Sequence, residues 1–167
     1  MKIDIKLFEK CSDVKFKKVL ERLVGLEKYC LLQKGGISTY ADVFDTIGKM
    51  PNQLKEWLKV FDGGYLFSES MFFSNKHKDE ALTFAKMNSP EFKKELGIDE
   101  DVICFGRTNY GAYYCFAQDE DIDVIYEWDC EEGGPVLKWD TFADWLNERI
   151  DDALELLKEG SLLEIEG

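Results

Sequence analysis

Val102-Ile103-Cys104-Phe105, Ala112-Tyr113-Tyr114-Cys115-Phe116 and Asp123-Val124-Ile125-Tyr126-Glu127-Trp128 are three short runs rich in β-branched and aromatic residues. The turn-forming stretch Gly106-Arg107-Thr108-Asn109-Tyr110-Gly111 separates the first two. Runs of this length, bounded by Gly, Asn and Asp, read as strands joined by tight connections. In the third, Val124, Tyr126 and Trp128 share one face while Glu127 and Asp129 share the other, the alternation of a strand with one wet side. The expected core element is therefore an antiparallel, half-exposed sheet.

Working outward, Glu131-Glu132-Gly133-Gly134 reads as a turn. The stretch from Thr141 to about Leu157 reads as a closing helix with Phe142, Trp145, Leu146, Ile150, Ala153, Leu154 and Leu157 inward. On the N-terminal side, Ser89-Pro90-Glu91 opens a short helix running to Leu96 and closed by Gly97. Asp79 to Met87 reads as a helix with Ala81, Leu82, Phe84 and Ala85 inward. Tyr65-Leu66-Phe67 and Met71-Phe72-Phe73 read as extended. Met50-Pro51 starts a helix that presents Leu54, Trp57, Leu58 and Phe61 and stops at Asp62-Gly63-Gly64. Ser38 to Ile47, ended by Gly48, is another helix. The opening one is capped at Ser12-Asp13 and carries Phe16, Val19, Leu20, Leu23 and Val24 at helical spacing up to Gly25. These elements are helices around an antiparallel, half-exposed sheet, in one globular domain. A chain of 167 residues with 12 Phe, 7 Tyr and 4 Trp has enough bulk for one sizeable core.

Charge is segregated along the chain. Residues 1–98 hold 17 basic and 14 acidic side chains, a net of +3, whereas residues 99–167 hold 4 and 20, a net of −16. Eight of those carboxylates (Asp119, Glu120, Asp121, Asp123, Glu127, Asp129, Glu131 and Glu132) fall between positions 119 and 132 with no Lys or Arg among them. Such a field repels phosphates and anionic lipid and raises the encounter rate of basic partners, so direct nucleic-acid or membrane binding is not expected. A charge run is also what a solvated face looks like. No stretch approaches the roughly 20 apolar residues of a membrane span, and the first residues lack an apolar signal-peptide centre, so a cytoplasmic location is expected. Five cysteines, an odd number without a Cys-x-x-Cys pair, read as reduced thiols with no structural disulfide and no zinc site.

The chain is poor in marks of catalysis. Its single histidine, His77, lies between two lysines near the start of a polar helix, and there is no Gly-x-Ser-x-Gly elbow, so a Ser-His or Cys-His system is not expected. The glycine-flanked stretch 106–111 lacks both the Lys-Ser/Thr end of a Walker loop and the dinucleotide spacing, and reads as a turn. Asp119, Asp121 and Asp123 match the first three ligand positions of a calcium loop, but Val124 and Cys130 stand where glycine and glutamate are required. No catalytic residue, metal ligand or cofactor is therefore expected. An acid/base carboxylate pair is the remaining enzymatic alternative, and nothing in the sequence marks one.

The order of the parts carries more than any single one. Met50-Pro51-x-x-Leu54-Lys55-Glu56-Trp57-Leu58 ending in Asp62-Gly63-Gly64, then Phe105 to Gly111 and Tyr114-Cys115-Phe116, then Val124 to Asp129, then Trp139-Asp140-Thr141-Phe142-Ala143-Asp144-Trp145-Leu146 resemble the SUKH superfamily over roughly residues 37 to 157. The chain departs from the usual pattern at Ala112 and Ala117, where members often carry acidic residues. The resemblance implies an α+β fold, a mostly antiparallel sheet of about 4–6 strands wrapped by helices in a single domain, with an N-terminal helical segment over 1–36 packed on a SUKH-like α+β domain over 37–158 and a tail over 159–167. It also implies a protein without catalytic activity. Bacterial members are typically immunity proteins encoded beside polymorphic toxins, many of them nucleases, and fungal relatives are regulatory scaffold proteins. The expected partner is then a basic cognate toxin domain, bound by the acidic run from Asp119 to Glu132 with Tyr110 or Tyr126 as aromatic anchors, to a monomer or homodimer of this chain. The alternative is a regulatory module docking on a partner in its own cell.

Overall fold

The computed structural model describes residues 2–35, 41–47, 49–76, 83–118 and 122–165. Its centre is a seven-stranded sheet in which every neighbour in sequence is a neighbour in space and every pair is antiparallel. The strands are β1 (Cys30–Lys34), β2 (Phe61–Leu66), β3 (Ser70–Phe72), β4 (Val102–Thr108), β5 (Tyr113–Ala117), β6 (Ile125–Asp129) and β7 (Gly134–Trp139). Around them lie α1 (Val14–Val24), α2 (Ala41–Ile47), α3 (Asn52–Leu58), α4 (Phe84–Met87), α5 (Pro90–Leu96) and α6 (Phe142–Lys158). The α+β class stands, with seven strands where about 4–6 were expected.

The extra strands are the two edges, β1 and β7, which have little alternation to announce them. A further correction concerns Asp62-Gly63-Gly64, which lies inside β2 rather than ending a helix; α3 stops at Leu58, and Phe61 already belongs to the strand. The glycines serve close approach. A Cβ on Gly64 would lie 2.1 Å from the Leu31 carbonyl oxygen, and one on Gly63 would lie 2.8 Å from the Ser74 Cβ, both at positive φ. Asp62 is buried and accepts the Asn75 N–H at 2.6 Å, tying β2 to the chain leaving β3.

One face of the sheet packs under α1, α3 and α6. Trp57 of α3 stacks within 5.7 Å of Phe61, Phe72 and Phe142, while Trp145 of α6 meets Phe72, Phe105, Tyr114 and Phe142 at 5.0–5.8 Å. The N-terminal helix joins the same core, with Phe16 against Phe8 and Phe142. Two inward assignments fail. Leu154 is exposed because it lies on the outer side of α6 among Asp151, Glu155 and Lys158, while Ala153 takes the inward position. Ala85 is exposed because α4 spans four residues behind its Thr83 cap and buries only Phe84 and Met87. Ala81 and Leu82 of the expected helix lie outside the described residues.

Side chains at the starts of α1 and α3 tie these helices to each other and to the start of α6. Asp13 caps α1 by accepting the Phe16 N–H at 3.0 Å and also accepts Gln53 Nε2 at 2.7 Å, while Gln53 Oε1 accepts the Ala143 N–H at 2.7 Å. The bonds from Gln53 and Phe16 hold the Asp13 carboxyl below the ordinary carboxylate range. A depressed carboxyl stabilises the fold above its unfolded value of about 3.9, and this contribution disappears as the pH falls through the folded value. Asp13→Ala is expected to cost about 1 kcal/mol at neutral pH, the weight of an N-cap. Urea titrations at pH 7 and pH 3 should show the gap to the parent protein narrowing at the lower pH.

Candidate functional site

Of the ten residues that the sequence singles out, Asp119, Glu120 and Asp121 lie outside the described residues, as does His77. The other seven are dispersed by the register of β6. Asp123 is exposed before the strand begins, whereas Glu131 and Glu132 are exposed in the β6–β7 turn beyond its end. β6 itself, from Ile125 to Asp129, spans about 13 Å between the two. Asp129 accepts the N–H groups of Glu131 and Glu132 at 2.8 and 3.0 Å, and so shapes the turn that presents them. Tyr126 is half-buried on the same face as Trp128 and Cys115.

Glu127 corrects the expected wet face. It is 4 % exposed and lies on the side of the sheet that carries Ile125 and Tyr114. Tyr110, at the β4–β5 turn, is 68 % exposed, yet its hydroxyl points inward and donates to Glu127 Oε1 at 2.5 Å. Burial of the hydroxyl and the neighbouring carboxylate both push the Tyr110 phenol above its usual value. Beside them Tyr114 hydroxyl is 3.1 Å from Ser70 Oγ and accepts from Arg149 Nη1 at 2.8 Å. Arg149, lying 5.8 and 5.5 Å from the Tyr114 and Trp139 rings, also pairs with Glu148 at 2.7 Å and Asp152 at 3.2 Å. Glu148 in turn accepts Trp139 Nε1 at 2.9 Å.

Four elements thus meet at one place: the β4–β5 turn, β6, β7 and α6. Its exposed parts are the Tyr110 ring, Leu137 (half exposed, opposite Glu127 on β7) and the carboxylates Glu148 and Asp152 of α6, with Asp151 and Glu155 farther along the helix paired to Arg22 and Lys158. Burial first, and then the crowding of Glu148 and Asp151, raise the Asp152 carboxyl against the pull of Arg149. An apolar centre with a charged rim has the make-up of a protein-binding surface. The α6 carboxylates were visible only as part of the C-terminal charge excess, because nothing in a helical acidic face says which neighbour it borders.

Tyr110→Phe removes the hydroxyl that donates to the buried Glu127 carboxylate while keeping the ring. An expected loss of about 1–3 kcal/mol at pH 7 follows from leaving that acceptor unpaired. Urea denaturation of the variant and the parent at pH 7 checks it.

Among the described residues no group of three or more His, Cys, Asp or Glu side chains is placed to hold a metal ion, and all five cysteines are free thiols. Burial pushes Cys30 and Cys104 up to about 12 and Cys115 well above its usual value, which makes these thiols poor nucleophiles. No helix among the described residues is long and apolar enough to cross a membrane.

The sequence profile of the SMI1 / KNR4 family (SUKH-1) matches residues 46–148, more than half of the chain and everything from the end of α2 into α6. The chain belongs to the SUKH-1 family. That family includes immunity proteins and cell-wall regulators and is generally non-enzymatic. No curated protein matches the chain. The profile's span covers the Tyr110–Glu127 contact, β7 and the first half of α6, whereas α1 and β1 lie outside it.

Proposed function

We propose that this SUKH-1 protein is a non-enzymatic immunity protein that binds a basic toxin domain, a nuclease by preference, and blocks it sterically and electrostatically. The observation that supports it most is the exposed apolar spot of Tyr110 and Leu137 bordered by Glu148 and Asp152, two carboxylates that share the single cation Arg149, in a part of the chain whose net charge is −16. A nuclease needs a cationic groove for phosphates, and an acidic face can occupy such a groove as a polyanion does. The binding face extends from the α6 carboxylates to Glu131 and Glu132, with Tyr110 as the desolvated anchor.

The test is growth of source cells lacking the gene, with and without toxin-producing neighbours, beside capture of the tagged protein and washing at low and then high salt. Immunity predicts killing only when the toxin is present, and a basic partner released by salt. A growth or cell-wall defect without any toxin, with a housekeeping protein retained on the tag, would replace this reading with that of an intracellular regulator.

A further inference from the structure

The opposite face of the sheet carries a feature that the partner-binding reading does not use. The register aligns Tyr65, Met71, Arg107, Tyr113 and Trp128 as directly opposed neighbours on β2, β3, β4, β5 and β6, one row across five strands. Part of that row lines a cavity of about 320 Å³ that opens to solvent between Tyr65 and Tyr113, with Met71 and Arg107 between them and Glu69 and Asn109 at the rim. Tyr65 is 42 % exposed, while Met71 and Tyr113 are nearly covered, so the cavity has apolar walls at these three residues, polar side chains such as Ser68, Glu69 and Asn109 beside them, and one open side. Its rim is formed by the β2–β3 turn, where Phe67 and Ser68 both hold positive φ, at 56° and 63°. The Asn109 N–H donates to the Glu69 carbonyl at 2.9 Å and fixes the two turns side by side.

Arg107 is the telling residue. It is one of only four cations in the 69 residues from 99 to 167, where 20 carboxylates compete for them. Yet among the described residues it makes no ion pair, whereas Arg149 and Lys158 do. Lys138, the fourth, is exposed on the edge strand, while Arg107 is half-buried in a walled site. A partly desolvated guanidinium with its fork unused is a receptor for a planar, bidentate anion, and the apolar walls ask for a body to go with it. The single carboxylate of Glu69 at the rim, with the excess negative charge of this half of the chain, disfavours a second negative charge on the ligand. We propose that the cavity between Tyr65, Met71, Arg107 and Tyr113 binds a monocarboxylate with an apolar or aromatic body, the carboxylate on Arg107 and the body between the two tyrosines.

The test is a titration of isotope-labelled full-length protein with benzoate, read by amide chemical shifts. Saturable shifts at residues 65–71 and 107–113 are expected, with phenyl phosphate binding more weakly than benzoate. Arg107→Gln should weaken benzoate at least about tenfold, the weight of a charge-assisted hydrogen bond. Tyr65→Ala, at an exposed position, should weaken it too, and Lys138→Gln should leave it unchanged. A parallel titration with acetylated, amidated glutamate separates a free acid from an acidic side chain on another protein as the source of the carboxylate. Shifts centred elsewhere, an undiminished response in Arg107→Gln, an equal loss in Lys138→Gln, or tighter binding of phenyl phosphate would each overturn the assignment. None of these readouts involves a toxin, so the site stands or falls independently of the immunity reading.

Discussion

Trp145→Ala should destabilise the protein by about 3–5 kcal/mol, the cost of deleting a large aromatic from a core that cannot collapse around the gap. The side chain is fully buried and its ring meets those of Phe72, Phe105, Tyr114 and Phe142 at 5.0–5.8 Å. These partners come from β3, β4, β5 and α6 itself, so the cavity would open where three strands and the helix join. Against a typical domain stability of about 5–15 kcal/mol, such a loss leaves a marginal fold. Trp145→Phe is the informative companion. It keeps a ring in the stack and removes the indole N–H, which has no hydrogen-bond partner among the described residues. The missing volume and the relieved polar group then oppose each other, and the expected cost is under about 1.5 kcal/mol, in the range of tolerated hydrophobic swaps. Urea denaturation of both variants checks the pair, and equal losses for the two would mean that packing of the ring is not what holds α6 to the sheet.

The same residue shows why some of the fold is legible in the sequence and some is not. Trp145 announces its burial locally, because Phe142, Leu146, Ile150 and Ala153 share its helical stripe behind the Thr141 cap, and Thr141 does accept the Asp144 N–H. The Asp13 cap of α1, the Ser89-Pro90 start of α5 and the three strands β4, β5 and β6 are local in the same way. Glycines 63 and 64 are different. They look like a stop signal after α3, but their reason is the backbone of Leu31 and the side chain of Ser74, remote in sequence and adjacent in space. Glu127 fails for a related cause. Alternation puts it opposite Tyr126 correctly, but which face is wet depends on Tyr110 folding its hydroxyl inward and on α6 approaching from the same side. The candidate site follows this division. The excess of negative charge after residue 98 needs only counting, whereas the meeting of Tyr110, Glu127, Leu137 and the α6 carboxylates needs the β6–β7 register. The row that ends in the Arg107 cavity needs all of the pairings from β2 to β6.

Reversing Glu131 and Glu132 to Lys should slow association with a basic partner by about 10- to 1000-fold at low salt, the range over which electrostatic steering raises on-rates. The two side chains are exposed in the β6–β7 turn, and their backbone N–H groups hold Asp129, so the change removes charge without removing the turn. Long-range steering acts on the encounter, so the dissociation rate should change much less than the association rate. The difference should also shrink as salt rises from about 0.01 M to 0.15 M, because the screening length falls from about 30 Å to about 8 Å. Asp123→Lys locates the face. It sits beyond the other end of β6, a strand about 13 Å long and so longer than the physiological screening length of about 8 Å. With the binding face at Tyr110 and α6, Asp123→Lys should slow association far less than the Glu131/Glu132 pair at 0.15 M salt. Stopped-flow or surface-capture kinetics against the captured partner decides it: a larger effect from Asp123 would move the face to the start of β6, and no effect from either would remove the acidic surface from the account of binding.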